Sequence, residues 1–278
     1  MAVPKPILIT PRMHPSITTL RRHDRFHSAF LPDDRDVLVW LPPDYGRSRS
    51  RYPVLYMHDG QNLFDPQTAH QKGQHWRVGE TATELIDAGR IEPLIIVGIH
   101  NTGASRIQEY TPTKDRKRGG GLADDYGRLI VEELKPLIDA TYRTRPEAAS
   151  TGLAGSSLGA LATLHLAYRH PSTFNRLALH SPSVWWDRRT ILRTVRGTRP
   201  KPPFRFWVDM GTAEGRRGLD DARLLKAALV GAGFVEGEDL RYQEYEGATH
   251  SERAWAWRVG PMLEWLFPKE PGDTAGIS

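Results

Sequence analysis

Along this chain, short runs that are apolar at every position alternate with longer stretches whose apolar residues recur every three or four positions. "YPVLYMHDG" (52–60) and "EPLIIVGIH" (92–100) are of the first kind and predict strands buried on both faces. "RDVLVWLPPDY" (35–45), "ASTGLAGS" (149–156), "FNRLALHSP" (174–182), "PFRFWVDMG" (203–211) and "LRYQEYEG" (240–247) predict the other strands. Helical spacing covers 80–89, 123–142, the stretch "LGALATLHLAYRHP" from Leu158, 218–232 and 252–267. Such alternation predicts an α/β fold, a mostly parallel sheet with helices on both faces, and places reactive residues just beyond the carboxyl ends of the strands. No repeat or low-complexity linker breaks the pattern, so residues 1–278 read as a single domain. Residues 1–35 are expected to add edge strands, and 269–278 ("KEPGDTAGIS") to form a frayed tail.

Composition narrows the function classes. With 278 residues, 39% of them hydrophobic, the chain can bury a sizeable core. The formal charge of +5 is scattered rather than gathered into a stripe, which argues against a nucleic-acid partner. Its one local concentration, "KDRKRGGG" (114–121), reads as a mobile, solvated loop. Cysteine is absent, which excludes disulfides and thiolate metal sites. No segment is long and apolar enough for a bilayer, and the proline-rich start does not resemble a secretory signal, so a cytoplasmic location without membrane attachment is expected. His23 and His27 in "HDRFH" have helical metal-ligand spacing but fall in a strand-like stretch without a third ligand, so no metal and no cofactor are expected.

The chemistry concentrates at "GLAGSSLGALATLHLAYRHP" (152–171). Glycine–any–serine–any–glycine is met by Gly155, Ser157 and Gly159, between a predicted strand and a predicted helix. A serine on so tight a turn needs small residues two positions to either side, and the strain holds its hydroxyl out above the sheet edge. A well-packed turn with no catalytic role is the competing reading. If Ser157 is a nucleophile it needs a base, and the order serine–acid–histidine leaves, beyond the serine's own helix, His180 and His250. His250, in the "GATHSE" loop after a strand, is favoured over His180, which sits at a strand end as a core residue. For the orienting acid, Glu214 lies in the loop after "FWVDMG" and is favoured over Asp209 within the strand. Asp220 and Asp221 are expected to cap a helix. The oxyanion donors would be the backbone N–H of Leu158 and those of Gly60 and Gln61. Trp185 and Trp186 are candidates to wall an acyl or aromatic pocket. Arg106 is a candidate to bind a substrate anion, with a salt bridge to Glu109 as the simpler alternative.

Taken together, "YPVLYMHDGQNLFD", "IVGIHNTG", "GLAGSSLGALATLHLAYRHP", "SPSVWW", "DMGTAEG" and "EGATHSERAWAWR" resemble the putative esterase family of α/β-hydrolases, over nearly all of residues 20–267. That family includes feruloyl, acetylxylan and enterobactin esterases, S-formylglutathione hydrolases and mycolyltransferases; the tryptophan pair after "SPS" resembles the siderophore-esterase branch most. The resemblance implies an α/β-hydrolase fold and a serine carboxylesterase of small-molecule esters. It also implies Ser157 as nucleophile, His250 as base and Glu214 as acid, where many members carry aspartate and some work with a serine–histidine dyad. Acyl transfer to an alcohol, and a hydrolase-like fold used only for binding, are the alternatives.

Overall fold

The computed structural model describes residues 19–269. Its centre is an eight-stranded sheet built from β1 (Leu20–Phe26), β2 (Arg35–Trp40), β3 (Val54–His58), β4 (Ile95–Ile99), β7 (Thr151–Ser156), β8 (Arg176–His180), β9 (Arg205–Gly211) and β10 (Leu240–Tyr245). The order across it is β1-β2-β4-β3-β7-β8-β9-β10. β2 pairs antiparallel with β1 and β4, and every other pairing is parallel. The mostly parallel α/β sheet expected from the strand–helix alternation, and the α/β-hydrolase fold that the resemblance implies, are thus the fold observed. β1 stands at one edge of the sheet; residues 1–18, and the tail beyond Lys269, lie outside the described residues.

Residue alternation along each strand divides the core in two. Val54 and Tyr56 of β3, Ile95 and Val97 of β4, Leu177 and Leu179 of β8 and Phe206 and Val208 of β9 face one layer. That layer holds α5 (Leu158–Arg169), α6 (Ile191–Gly197) and α7 (Arg216–Gly231). Leu55, Met57, Ile96, Ala178 and Trp207 face the other, against α1 (Val78–Asp87) and α8 (Glu252–Leu266). A parallel sheet is stable only with both faces covered, and truncating a buried Leu55 or Leu179 to alanine costs roughly 2–5 kcal/mol. Since the central strands run in one direction, β3, β7, β8, β9 and β10 all release their following loops at one rim.

Three local expectations are corrected. The helical stretch 123–142 widens into a π-helical segment, Leu129–Leu134, between Ala123–Arg128 and Lys135–Thr141. Pro136 explains this: it has no N–H to donate, and the wider turn gives its ring room. Residues 114–121 are not an irregular loop but form a short hairpin, β5 (Lys114–Asp115) against β6 (Gly119–Gly120). Gly120 packs so tightly that a Cβ there would lie 2.3 Å from Thr111 Oγ1 and 2.8 Å from Trp186. Asp220 and Asp221 do not cap α7, which starts at Arg216; Asp221 is buried and accepts from Arg189 Nε at 2.6 Å. Among the described residues no helix is long and apolar enough to cross a membrane.

Candidate active site

Ser157 sits between β7 and α5 with φ 57° and ψ −120°, a region that side-chain-bearing residues avoid at about 1–3 kcal/mol. Its neighbours impose the turn. A Cβ on Gly155 would come within 2.8 Å of the Gly159 carbonyl carbon and 2.9 Å of the His58 ring, and one on Gly159 within 3.2 Å of His58 Cβ. The small residues on both sides of the serine are therefore required by contact, as their spacing predicts. The Ser157 N–H donates to the His180 carbonyl at 2.9 Å, and its carbonyl accepts from Ser183 N at 3.1 Å, which hold the corner in place. Ser157 Oγ lies 3.2 Å from Ser183 Oγ. That is its side-chain hydrogen bond among the described residues; one to His250 is not formed. The Leu158 N–H opens α5 and shares that helix's positive end with the serine.

One side of the rim carries Glu214 and His250. β9 ends at Gly211 and turns through Thr212–Glu214, while β10 leads into the loop that bears His250. Gly211 makes the approach of the two loops feasible, because a Cβ there would stand 2.1 Å from the Ala248 carbonyl oxygen. Glu214 Oε2 lies 2.6 Å from His250 Nδ1. Its Oε1 accepts from Ser181 Oγ at 2.7 Å, from the Gly211 N–H at 2.8 Å and from Arg258 Nη2 at 3.3 Å. The carboxylate side chain is 1% exposed and the imidazole 47%. Burial pushes the Glu214 carboxyl up, but the bonds from His250, Ser181 and Gly211 outweigh it and hold the group below the usual carboxylate range.

Beneath this pair Arg258, fully buried, donates from Nη1 to Asp209 Oδ1 at 2.8 Å and to Ser181 at 3.1 Å. Asp209 Oδ2 accepts from Trp207 Nε1 and meets His180 Nδ1, both at 2.6 Å. Asp209 and His180 are thus core partners of each other, as their positions within strands predict. Burial raises the Asp209 carboxyl, and His180 and Arg258 more than reverse it.

On the other side of the rim, Asp59 takes a left-handed conformation (φ 57°, ψ 45°) directly before Gly60. Gly60 presses on the next strand, where a Cβ would meet the Gly98 carbonyl carbon at 2.5 Å. The Asp59 carboxylate is gripped by Arg106, Nε to Oδ1 at 2.7 Å and Nη2 to Oδ2 at 2.8 Å, and by Asn101 Nδ2 at 2.6 Å. Burial raises this carboxyl, and Arg106 overrides it and lowers it. Next to it, burial lowers His58 to about 4; its Nδ1 meets the Tyr126 hydroxyl at 2.9 Å. Arg106 therefore pairs with Asp59, not Glu109. Glu109 is buried and takes a two-pronged bond from Arg35, at 2.9 Å for each prong.

Ser157, His250, Gln61, Asp59, Arg106 and Trp255 line one cavity of about 520 Å³. Gly60 flanks it. The tryptophan pair does not line it. Trp186 is 2% exposed in the core with its indole N–H on the Thr113 carbonyl, and Trp185 is half-buried against Trp186 and under the Arg118 guanidinium. Their expected role as pocket walls is corrected to support of the hairpin of β5 and β6. His23 and His27 are engaged by Tyr142 and Asp34, each at 2.9 Å. Sequence reasoning missed Asp59, Asn101, Ser181, Ser183 and Trp255 as parts of the rim, and Arg258 beneath it. For Trp255 a signal exists, since it shares the apolar face of α8 with Val259, Met262 and Leu263.

The sequence pattern of the putative esterase family matches residues 28–266. An uncharacterised protein of Bacillus subtilis, YbbA, is 26% identical over 249 residues, covering 85% of this chain and 94% of its own. A siderophore enterobactin esterase of Emericella nidulans is 29% identical over 269 residues, covering 81% of this chain and 84% of its own. Among solved structures, an IroE-like serine hydrolase from Shewanella oneidensis superposes with a TM-score of 0.74 at 21% identity, covering 89% of this chain and 80% of that one, and so shares the fold. With the matched region running from before β2 to the end of α8, the chain belongs to the putative esterase family.

Proposed function

We propose that the protein is a serine carboxylesterase working through an acyl-enzyme, with Ser157 as nucleophile, His250 as general base and Glu214 as the acid that orients it. The observation that carries this reading is the 2.6 Å pairing of Glu214 with His250 Nδ1 at the rim of the cavity that Ser157 also lines. With Nδ1 facing the carboxylate, Nε2 is the atom left to accept a proton. Ser157 Oγ turns from Ser183 toward that nitrogen, attacks the ester carbonyl and gives up its proton to His250. The tetrahedral oxyanion takes hydrogen bonds from the Leu158 N–H and from the Gly60–Gln61 backbone, each donor contributing about 3–4 kcal/mol. Collapse expels the alcohol, which receives the proton from His250. Water then attacks the acyl-enzyme with the same base. Glu214 also stabilises the imidazolium formed in both steps.

The relative named as an enterobactin esterase favours an aromatic, sugar- or siderophore-type ester over a lipid ester. Arg106 is part of the cavity wall, and its two-pronged bond to Asp59 supports a role in holding the Gly60 loop in place, with the substrate anion a secondary role. Labelling by a fluorophosphonate tests the nucleophile. Stoichiometric modification, lost in Ser157→Ala together with nearly all turnover of a p-nitrophenyl ester, supports the reading; full turnover by the variant ends it.

A further inference from the structure

The cavity that Ser157 lines carries one charge that the mechanism above does not use. Glu252, in the first turn of α8 and two residues after His250, is part of its wall. We propose that Glu252 makes this cavity a receptor for cations, and that the ligand it takes bears an ammonium group. That this ligand is an ester held at Ser157 rests on the proposed function; the binding of the cation does not.

Three observations carry the inference. The first is burial without a partner. Glu252 is 5% exposed, yet among the described residues its carboxylate makes no hydrogen bond and no ion pair. The other buried acids, Asp59, Glu109, Asp209 and Asp221, are each bonded by an arginine. A carboxylate taken from water is costly unless it is paired. Glu252 borders the cavity, so solvent there can hydrate it, and a ligand that fills the cavity displaces that solvent. A bound ammonium group replaces the lost hydration; an apolar group leaves the carboxylate bare.

The second is that α8 does not consume this side chain. An acid in the first turn of a helix often serves the helix itself, by accepting from its open N–H groups. Here that task falls to Ser251, whose Oγ accepts from the Ala254 N–H at 3.3 Å. Arg253, next along the chain, is directed elsewhere. It lines a neighbouring cavity, with its guanidinium carbon 5.6 Å from the centroid of the Trp257 ring.

The third is the charge balance of the wall. Asp59 and Arg106 neutralise each other through two bonds, and His250 meets Glu214, which Arg258 also bonds. His70 is the remaining titratable side chain that faces the cavity. Glu252 is therefore the acid on this wall with no cation beside it. A charge enclosed by protein is screened less than one on an open surface, so it separates cationic, neutral and anionic ligands of one shape. The Trp255 indole on the same wall adds aromatic surface of the kind that ammonium groups favour.

Calorimetry with three alcohols of similar size tests this: choline, its neutral isostere 3,3-dimethylbutanol, and anionic 4-hydroxybutanoate. Choline is expected to bind at one site, at least tenfold tighter than either comparison. Glu252→Gln should shrink that preference to within threefold, and Glu252→Lys should turn it toward the anion. The acetyl esters of the same alcohols should follow the same order in kcat/KM, with the gain in KM, because the ammonium contact is made equally before and during attack. The proposal is overturned by no binding of choline, by equal affinity for its neutral isostere, or by a preference that survives in Glu252→Gln. Should a variant fail to fold, the ranking of the three alcohols by the parent still decides. Absence of p-nitrophenyl acetate turnover would sink the esterase reading alone and leave the calorimetric answer standing.

Discussion

Two arginine–carboxylate systems flank Ser157, and they are built differently. On the β9–β10 side Arg258 is wholly enclosed and divides its charge between two buried acids, Asp209 and Glu214. On the β3–β4 side Arg106 is 25% exposed, grips a single acid, Asp59, with two parallel bonds, and faces the cavity. An enclosed cation shared between acids leaves each carboxylate with a spare oxygen: Glu214 keeps Oε2 for His250 while Oε1 is fully occupied. A two-pronged grip engages both oxygens of Asp59, and among the described residues no imidazole hydrogen-bonds to either. The first arrangement suits an acid that must present one oxygen in a fixed direction. The second suits a loop whose backbone must stay put.

The sharpest break of this comparison is Glu214→Gln. On the proposed mechanism the amide keeps the shape but loses the charge that would stabilise the imidazolium, and about a thousandfold to ten-thousandfold of kcat should go, as for the corresponding change in a serine–histidine–acid triad. Asp209→Asn, in contrast, should leave the base oriented and act mainly on stability. Steady-state kinetics with both variants decides; the reverse ranking would move the orienting acid to Asp209 and undo the contrast drawn here.

Next comes Arg258→Met. Removing one partner of a buried pair costs about 3–5 kcal/mol, because the carboxylates stay behind without their cation. For a domain of this size roughly 2–4 °C is lost per kcal/mol, so the melting temperature should drop by about 10 °C in a thermal scan. The loss of kcat should accompany it, because Glu214 Oε1 loses a donor. Unchanged melting would mean that water reaches these acids.

How much of this was legible beforehand follows from what kind of contact each feature depends on. The strands, the Ser157 turn and the placement of Glu214 and His250 after successive strands follow from periodicity and from glycines that only one geometry demands. Arg258 was hidden because an arginine in a helical pattern ordinarily points to water; only Asp209 and Glu214, 49 and 44 residues away, give it a buried destination. Asp59 with Arg106 was hidden for the same reason, since loops after different strands meet only once the strand order is known. Trp186 looked like a pocket wall because a loop tryptophan carries no sign of which way it faces. The glycines of 119–121 suggested mobility where they in fact permit contact with Thr111 and Trp186.

Acid should separate the two sides by a third route. His58, beneath the Asp59 loop, has its pKa lowered by burial from 6.5 to about 4. Its depressed folded value means that it contributes stability that is complete above pH 6.5 and is lost as pH falls from there toward 4, about 3 kcal/mol over the window. The carboxylates of both sides are held below their usual range, so their contribution disappears only at still lower pH. Denaturant unfolding between pH 7 and 4 should therefore show an early decline that His58→Gln reduces and Arg258→Met does not, the remainder falling to His100, His165 and His170, which burial also lowers. A decline of unchanged size in His58→Gln would assign it elsewhere.

The smallest expected effect is that of Arg106→Gln. Asp59 would keep its bond from Asn101 Nδ2, and Arg106 already borders the solvent of the cavity, so water can replace part of the lost pair. A cost of about 1–2 kcal/mol is expected, well below that of Arg258→Met. The effect on catalysis should have a particular form. If the pair serves to hold the Gly60 loop, the loss falls on kcat, because the oxyanion donors drift, and KM for an uncharged ester changes little. If the guanidinium instead binds substrate directly, KM rises selectively for anionic esters and kcat for neutral ones is kept. Comparing an acetyl ester with its carboxylated analogue in this variant distinguishes a loop clamp from a substrate cation. A clamp is the expected answer, because Arg106 Nε and Nη2 already bond the two oxygens of Asp59, at 2.7 and 2.8 Å.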